Sequence, residues 1–133
     1  MKQKITIVGL GPGAEDDITL GAIKALEDAS KIILRTKHHG IADWMREKGI
    51  SYTTLDDIYD NADSFDELYQ DMIKRIVLAL EEEDVLLGLP GHPLVGEQLT
   101  FELLKHLDRA VYDINVLPGL SQAGALVALV GEA

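Results

Sequence analysis

Three short turns hold the residues with the clearest capacity for chemistry: Gly9-Leu10-Gly11-Pro12-Gly13, Pro90-Gly91-His92-Pro93 and Pro118-Gly119-Leu120-Ser121. Glycine lets backbone amides and carbonyls approach a ligand with no side chain in the way, and proline holds the flanking φ angles rigid. In the second turn a stiff Pro-Gly-x-Pro bend carries one imidazole, His92, and is followed by an apolar contact, Val95. The third ends in Ser121, whose hydroxyl either caps a following helix or meets a ligand. Such a set suits positioning a small molecule. Attack by Ser121 would need a partner base, and Pro-Gly-Leu-Ser-Gln is not a nucleophile elbow.

The first turn also fits G-x-G-x-x-A, the pattern of a dinucleotide-binding loop. Two features weigh against that use. Pro12 lacks the N–H that a pyrophosphate would take, and Glu15, Asp16 and Asp17 put negative charge where phosphates would lie. Arg35, at the end of the apolar stretch 31–34, would suit a 2′-phosphate, so an NADP site stays as an alternative.

These turns need a frame to bring them together. Each follows a short apolar run (5–8, 85–89 and 114–117), the signature of a buried parallel strand. Further strands are expected at 31–34 and 52–55 and helices at 19–29, 41–48, 64–80 and 97–107. Asp17 or Thr19 caps the first helix, Gly49 stops the second, and Ser64-x-x-Glu67 is a capping box for the third. Residues 56–63 read as an exposed acidic loop. The alternation predicts one α/β domain over 1–133, with an open, mostly parallel five-stranded sheet flanked by helices. Ligands in such sheets bind beyond the carboxyl ends of the strands, where all three turns fall.

Composition removes several functions. The formal net charge of −11 leaves no basic stripe for nucleic acid, and Arg35-Thr36-Lys37-His38-His39 is too short to be one. There is no cysteine, hence no thiolate nucleophile and no disulfide. No apolar run approaches the ~20 residues of a membrane span. Met1-Lys2-Gln3-Lys4 leads directly into a strand, so a cytoplasmic protein is expected. Adjacent His38 and His39 point apart and read as surface histidines. Glu81-Glu82-Glu83-Asp84 reads as a solvated helix end and Asp56-Asp57 lacks calcium-loop spacing, so no metal site is expected. Trp44, Tyr52, Tyr59 and Tyr69 read as packing residues, and His106 as favourable to a helix end. The stretch 123–130 is apolar on nearly every side, which predicts a helix that is either the last of this core or, the favoured expectation, packed on a further domain or a second copy.

Taken in order, G-L-G-P-G with D-D-I-T-L, then P-G-H-P-L-V, then P-G-L-S, closely resemble the tetrapyrrole (corrin and porphyrin) methylases. His92 together with Leu34-Arg35-Thr36-Lys37-His38-His39 looks most like the branch fused to a MazG-type nucleotide pyrophosphohydrolase. The resemblance implies the N-terminal half of a two-domain fold, with S-adenosylmethionine in the cleft. It implies cofactor contacts at Pro12, Gly91, His92, Val95, Ser121 and Gln122, the rest of the pocket lying on a C-terminal half. It assigns no catalytic residue. It implies a small-molecule methyl acceptor, tetrapyrrole-like, and a homodimer, and a chain that is inactive by itself. Many family members have Asp at the position of His92, and porphyrin-methylating members have Asp at that of Arg35; arginine cannot act as a base. Those departures support a second expectation, a regulatory module that binds S-adenosylmethionine or a nucleotide beside a linked pyrophosphohydrolase and transfers no methyl group.

Overall fold

The computed structural model of the chain describes residues 2–121. The predicted helix at 123–130 and the cofactor contact at Gln122 lie outside them. Among the described residues five strands form one sheet: β1 Gln3–Gly9, β2 Lys31–Leu34, β3 Thr53–Thr54, β4 Val85–Leu89 and β5 Tyr112–Leu117, in the order β3-β2-β4-β1-β5. Every pairing is parallel. The expected parallel sheet is therefore present, and β5 starts earlier than the apolar run 114–117 because Gln3 and Lys4 of β1 pair with Tyr112 and Asp113.

Alternation along β1 sorts the core onto two faces. Ile5 and Ile7 join Ile33, Leu87 and Leu89 on the face covered by α3 Asp56–Asn61, α4 Phe65–Leu80 and α5 Gln98–His106. Val8 joins Ile32, Leu34 and Leu86 on the face covered by α1 Leu20–Asp28 and α2 Gly40–Glu47. The chain leaves β1 toward one face and β4, its neighbour, toward the other. The carboxyl ends of β1 and β4 thus flank the switch point of the sheet, where open α/β sheets bind ligands.

Local signals account for most boundaries. The Thr19 hydroxyl accepts the Ala22 N–H at 3.0 Å and caps α1, while Asp17 sits in a single 3-10 turn, Glu15–Asp17. Ser64 caps α4 by accepting the Glu67 N–H at 3.2 Å, and Leu68, Met72, Ile76 and Leu80 form its buried stripe. Glu81, Glu82 and Asp84 are exposed after α4, as expected of a solvated helix end, and Asp84 accepts the Lys4 N–H at 2.8 Å. The expectation of a loop at 56–63 fails: residues 56–61 form α3. Its acidic first turn complements the helix dipole, and a single apolar residue, Ile58, anchors it in the core. One buried residue per two turns leaves no visible period, so in sequence the segment carries only its acidic, loop-like composition.

Candidate functional site

The three turns meet. Leu10 N–H donates to Leu89 O at 2.8 Å, Gly11 N–H to Gly91 O at 3.2 Å, and Gly91 N–H to Gly11 O at 2.8 Å, zipping the first turn to the second. Both glycines have left-handed backbone, φ 73° and 70°, which explains glycine at each position. The third turn closes over this pair. A Cβ added to Gly9 would lie 2.6 Å from both Gly119 N and Gly91 O, and one added to Gly119 would strike Gly91 O and Gly9. Glycine is needed here because three backbones share one point at the carboxyl edge of β1, β4 and β5.

Around that point the residues singled out from the sequence take different places. Pro12 is half-buried in the first turn, and Gly91 is buried in the second. The half-buried His92 folds back so that its Nδ1 accepts the Leu94 N–H at 3.0 Å, which leaves the ring proton on Nε2. Val95 is 54% exposed, an apolar side chain held out of the core. Ser121 is half-buried at the end of the third turn. Glu15 and Asp16 are exposed beside the first turn, so the negative charge that weighs against a pyrophosphate is present in the fold.

A second cluster lies next to the turns at the end of β2. Arg35 N–H donates to Gly88 O of β4 at 3.0 Å. Its Nη1 donates to the Tyr59 hydroxyl at 3.0 Å, and its Nε lies 3.4 Å from Glu97 Oε2. That Nε is buried and its geometry toward Glu97 falls short of a hydrogen bond, so the pair is held by charge. Glu97, just after the second turn, is only 8% exposed. Burial pushes its carboxyl pKa up, against the pull of Arg35 and of the Leu99 backbone N–H. Burial also raises the Tyr69 hydroxyl, with Tyr59 and Glu97 adding to the effect. A pocket of about 440 Å³ opens here, lined by Arg35, Lys37, His38, Asp56, Tyr59 and Asp60. Another of about 430 Å³ lies between α1 and the sheet, near Lys24, Asp28 and Asn115; no residue of the first two turns lines it.

Two expectations need correction. His38 is exposed as expected, but His39 is not a surface residue: its ring is half-buried, Nε2 lies 2.8 Å from Gly11 O, and Nδ1 accepts the Ile41 N–H at 3.2 Å. Tyr59 does not serve packing, for it is exposed and holds Arg35. Tyr52, Tyr69 and Trp44 do pack against the two cores. Glu97 opens the helix expected at 97–107, and nothing in the sequence marks it for burial beyond its place just after a rigid turn. Among the described residues no group of three or more His, Asp or Glu is placed to hold a metal ion, and no helix is long and apolar enough to cross a membrane.

An all-parallel sheet with three glycine turns joined at its switch point defines an open α/β domain. The chain belongs to the Tetrapyrrole (Corrin/Porphyrin) Methylases, whose family model matches residues 4–133. It is 33% identical over 121 residues to the uncharacterized protein YabN of Bacillus subtilis (strain 168), covering 91% of this chain and 25% of that protein. It is 34% identical over 93 residues to a probable cobalt-factor III C(17)-methyltransferase of Methanothermobacter thermautotrophicus, covering 67% of this chain and 22% of that protein. Among solved structures it is similar to uroporphyrin-III-C-methyltransferase from Thermus thermophilus, at 27% identity and a TM-score of 0.68, covering 98% of this chain and 54% of that one. Diphthine synthase, at 19% identity and a TM-score of 0.73, shares the fold over 97% of this chain and 49% of that one. The chain thus spans about a quarter of the length of these curated relatives (25% and 22%) and about half that of these solved structures (49% and 54%).

Proposed function

We propose that the three joined turns are one wall of an S-adenosylmethionine site, and that the protein carrying them is a methyltransferase with a small-molecule acceptor. The observation that carries this reading is the mutual contact of Gly9, Gly91 and Gly119 at the switch point, in a chain of this family. The residues fit the cofactor. A rigid crease of bare backbone, an exposed Val95 and nearby carboxylates suit an adenosyl sulfonium, which is a cation and carries no phosphate. The same carboxylates oppose a dinucleotide, which sets the NADP alternative behind.

In this reading Pro12, Gly91, His92, Val95 and Ser121 line the cofactor, with Gln122 continuing the third turn. His92 offers the Nε2–H that its bond to Leu94 leaves free to donate. When bound, the cofactor supplies a methyl group already activated by the sulfonium; the chain's part is to hold it in line with the acceptor. The opposite wall belongs to a second domain, a reading that the greater length of the relatives supports, and this chain alone then turns over no substrate. The acceptor, tetrapyrrole-like in chemistry, lies on the Arg35 side, where the guanidinium edge not taken by Tyr59 and Glu97 meets an anionic group. A cytoplasmic homodimer completes the proposal. The second reading, a regulatory module beside a MazG-type pyrophosphohydrolase, draws on Arg35: it is paired with Glu97 and supplies no base.

Calorimetric titration of S-adenosylhomocysteine into the full-length protein tests the site. Binding that is lost in Val95→Asp supports it, because a carboxylate replaces the apolar contact. No binding by the unsubstituted protein refutes it.

A further inference from the structure

Gly11 O is one of the three acceptors that join the first two turns, and it takes two donors. One is the Gly91 N–H at 2.8 Å, from the second turn. The other is His39, whose Nε2 lies at 2.8 Å. The ring's other nitrogen fixes which group donates. Nδ1 faces the Ile41 N–H at 3.2 Å and accepts from it, so the proton resides on Nε2 and points at Gly11 O. The carbonyl's two lone pairs are thereby used, one by each donor. The next residue tightens the same joint: Gly40 packs so closely on Gly13 that a Cβ there would strike Gly13 O. Thus the start of α2 lies directly against the first turn, and a single imidazole ties the helix cap to the carbonyl bridging the turns.

We propose that His39 is a positioning residue of the cofactor site, holding Gly11 O against Gly91 so that the first and second turns keep the spacing the ligand requires. This rests on the reading of the turns as a cofactor wall. His39 does not touch the ligand in this arrangement; it acts through Gly11. The requirement is for one acceptor and one donor at opposite ends of one neutral ring. Asparagine reproduces the Nδ1 end, which caps α2, and glutamine reproduces the Nε2 end, which reaches Gly11.

The test uses His39→Asn, His39→Gln and His39→Ala in the full-length protein. Three readouts are taken: melting temperature, affinity for S-adenosylhomocysteine, and hydrogen exchange of the Gly91 amide. The proposal expects His39→Ala to bind about tenfold more weakly, the value of one hydrogen bond. It expects His39→Asn to keep the melting temperature yet bind as weakly as the alanine variant, with faster Gly91 exchange. His39→Gln should recover affinity and slow exchange while melting lower, because glutamine is a poor cap. Should asparagine recover affinity and exchange and glutamine not, His39 is a helix cap alone and the proposal is overturned. If the unsubstituted protein binds no S-adenosylhomocysteine, the cofactor reading fails, and Gly91 exchange decides the joint separately. Slower exchange in glutamine than in asparagine upholds the tie, and equal exchange in all variants overturns it. If His39→Ala does not fold, the asparagine and glutamine pair carries the comparison.

Discussion

Substituting Gly9 by alanine puts a methyl group where three backbones meet. Gly9 is the last residue of β1 and its φ is not positive, so alanine brings no conformational strain of its own. The cost is steric. The new Cβ would lie 2.6 Å from Gly119 N, 2.6 Å from Gly91 O and 2.8 Å from Gly119 Cα, all backbone atoms that cannot rotate away. Relief requires moving the second and third turns together, which places the cost near the upper end of the range for overpacking, about 3 kcal/mol. Reduced freedom of the unfolded chain returns up to about 1 kcal/mol, leaving a loss of about 2 kcal/mol. At roughly 2.1 cal/mol/K of unfolding entropy per residue, that lowers the Tm of a 133-residue domain by about 7 °C. Thermal unfolding followed by circular dichroism measures it, with Gly21→Ala as the control. Gly21 lies in α1, and its nearest neighbour to an added Cβ is Thr19 Oγ1 at 4.0 Å. Alanine there should stabilise by about 0.5–1 kcal/mol. A Gly9→Ala protein that melts at or above the unsubstituted Tm, while Gly21→Ala rises as expected, would refute the claim that the turns share one point.

Three further outcomes follow from the same geometry. Replacing Ser64 by alanine removes the acceptor for Glu67 N–H and should cost about 1 kcal/mol, read as a Tm lowered by roughly 4 °C. The raised Glu97 carboxyl contributes stability that is full below the ordinary glutamate pKa and lost as pH rises through the raised value; Glu97→Gln should flatten that fall in urea unfolding measured across pH. Asp56 runs the other way: burial opposes its ionisation, but hydrogen bonds from Thr36, the Lys37 N–H and Thr54 outweigh it and hold the carboxyl below its usual range. Its contribution is present above the ordinary aspartate pKa and lost as pH falls through the lowered value, and an unchanged acid limb in Asp56→Asn would contradict it.

Much of the frame was legible along the chain because its signals are local. Apolar runs ended by Gly or Pro marked β1, β4 and β5, a four-residue capping box marked the start of α4, and a 3.6-residue period marked its buried face. The position of the three turns at one edge followed from the parallel order alone, since each ends a strand pointing the same way. The short helix α3 escaped because one buried Ile58 among acids shows no period.

Contacts between distant segments required the folded chain. That Gly9, Gly91 and Gly119 touch depends on β1 lying between β4 and β5, an order no local pattern encodes. The same order brings the end of β2 beside β4, so that Arg35, well separated in sequence from Glu97, meets that carboxylate just past the second turn. His39 reaches Gly11 across 28 residues because α2 starts where the first turn passes. As one of two adjacent histidines in a polar stretch it carried no signal of its own. Residue type and spacing marked the three turns as the candidate site; the burial of Glu97, its pairing with Arg35 and the contact of His39 with Gly11 come from neighbours that only the packing of the sheet supplies.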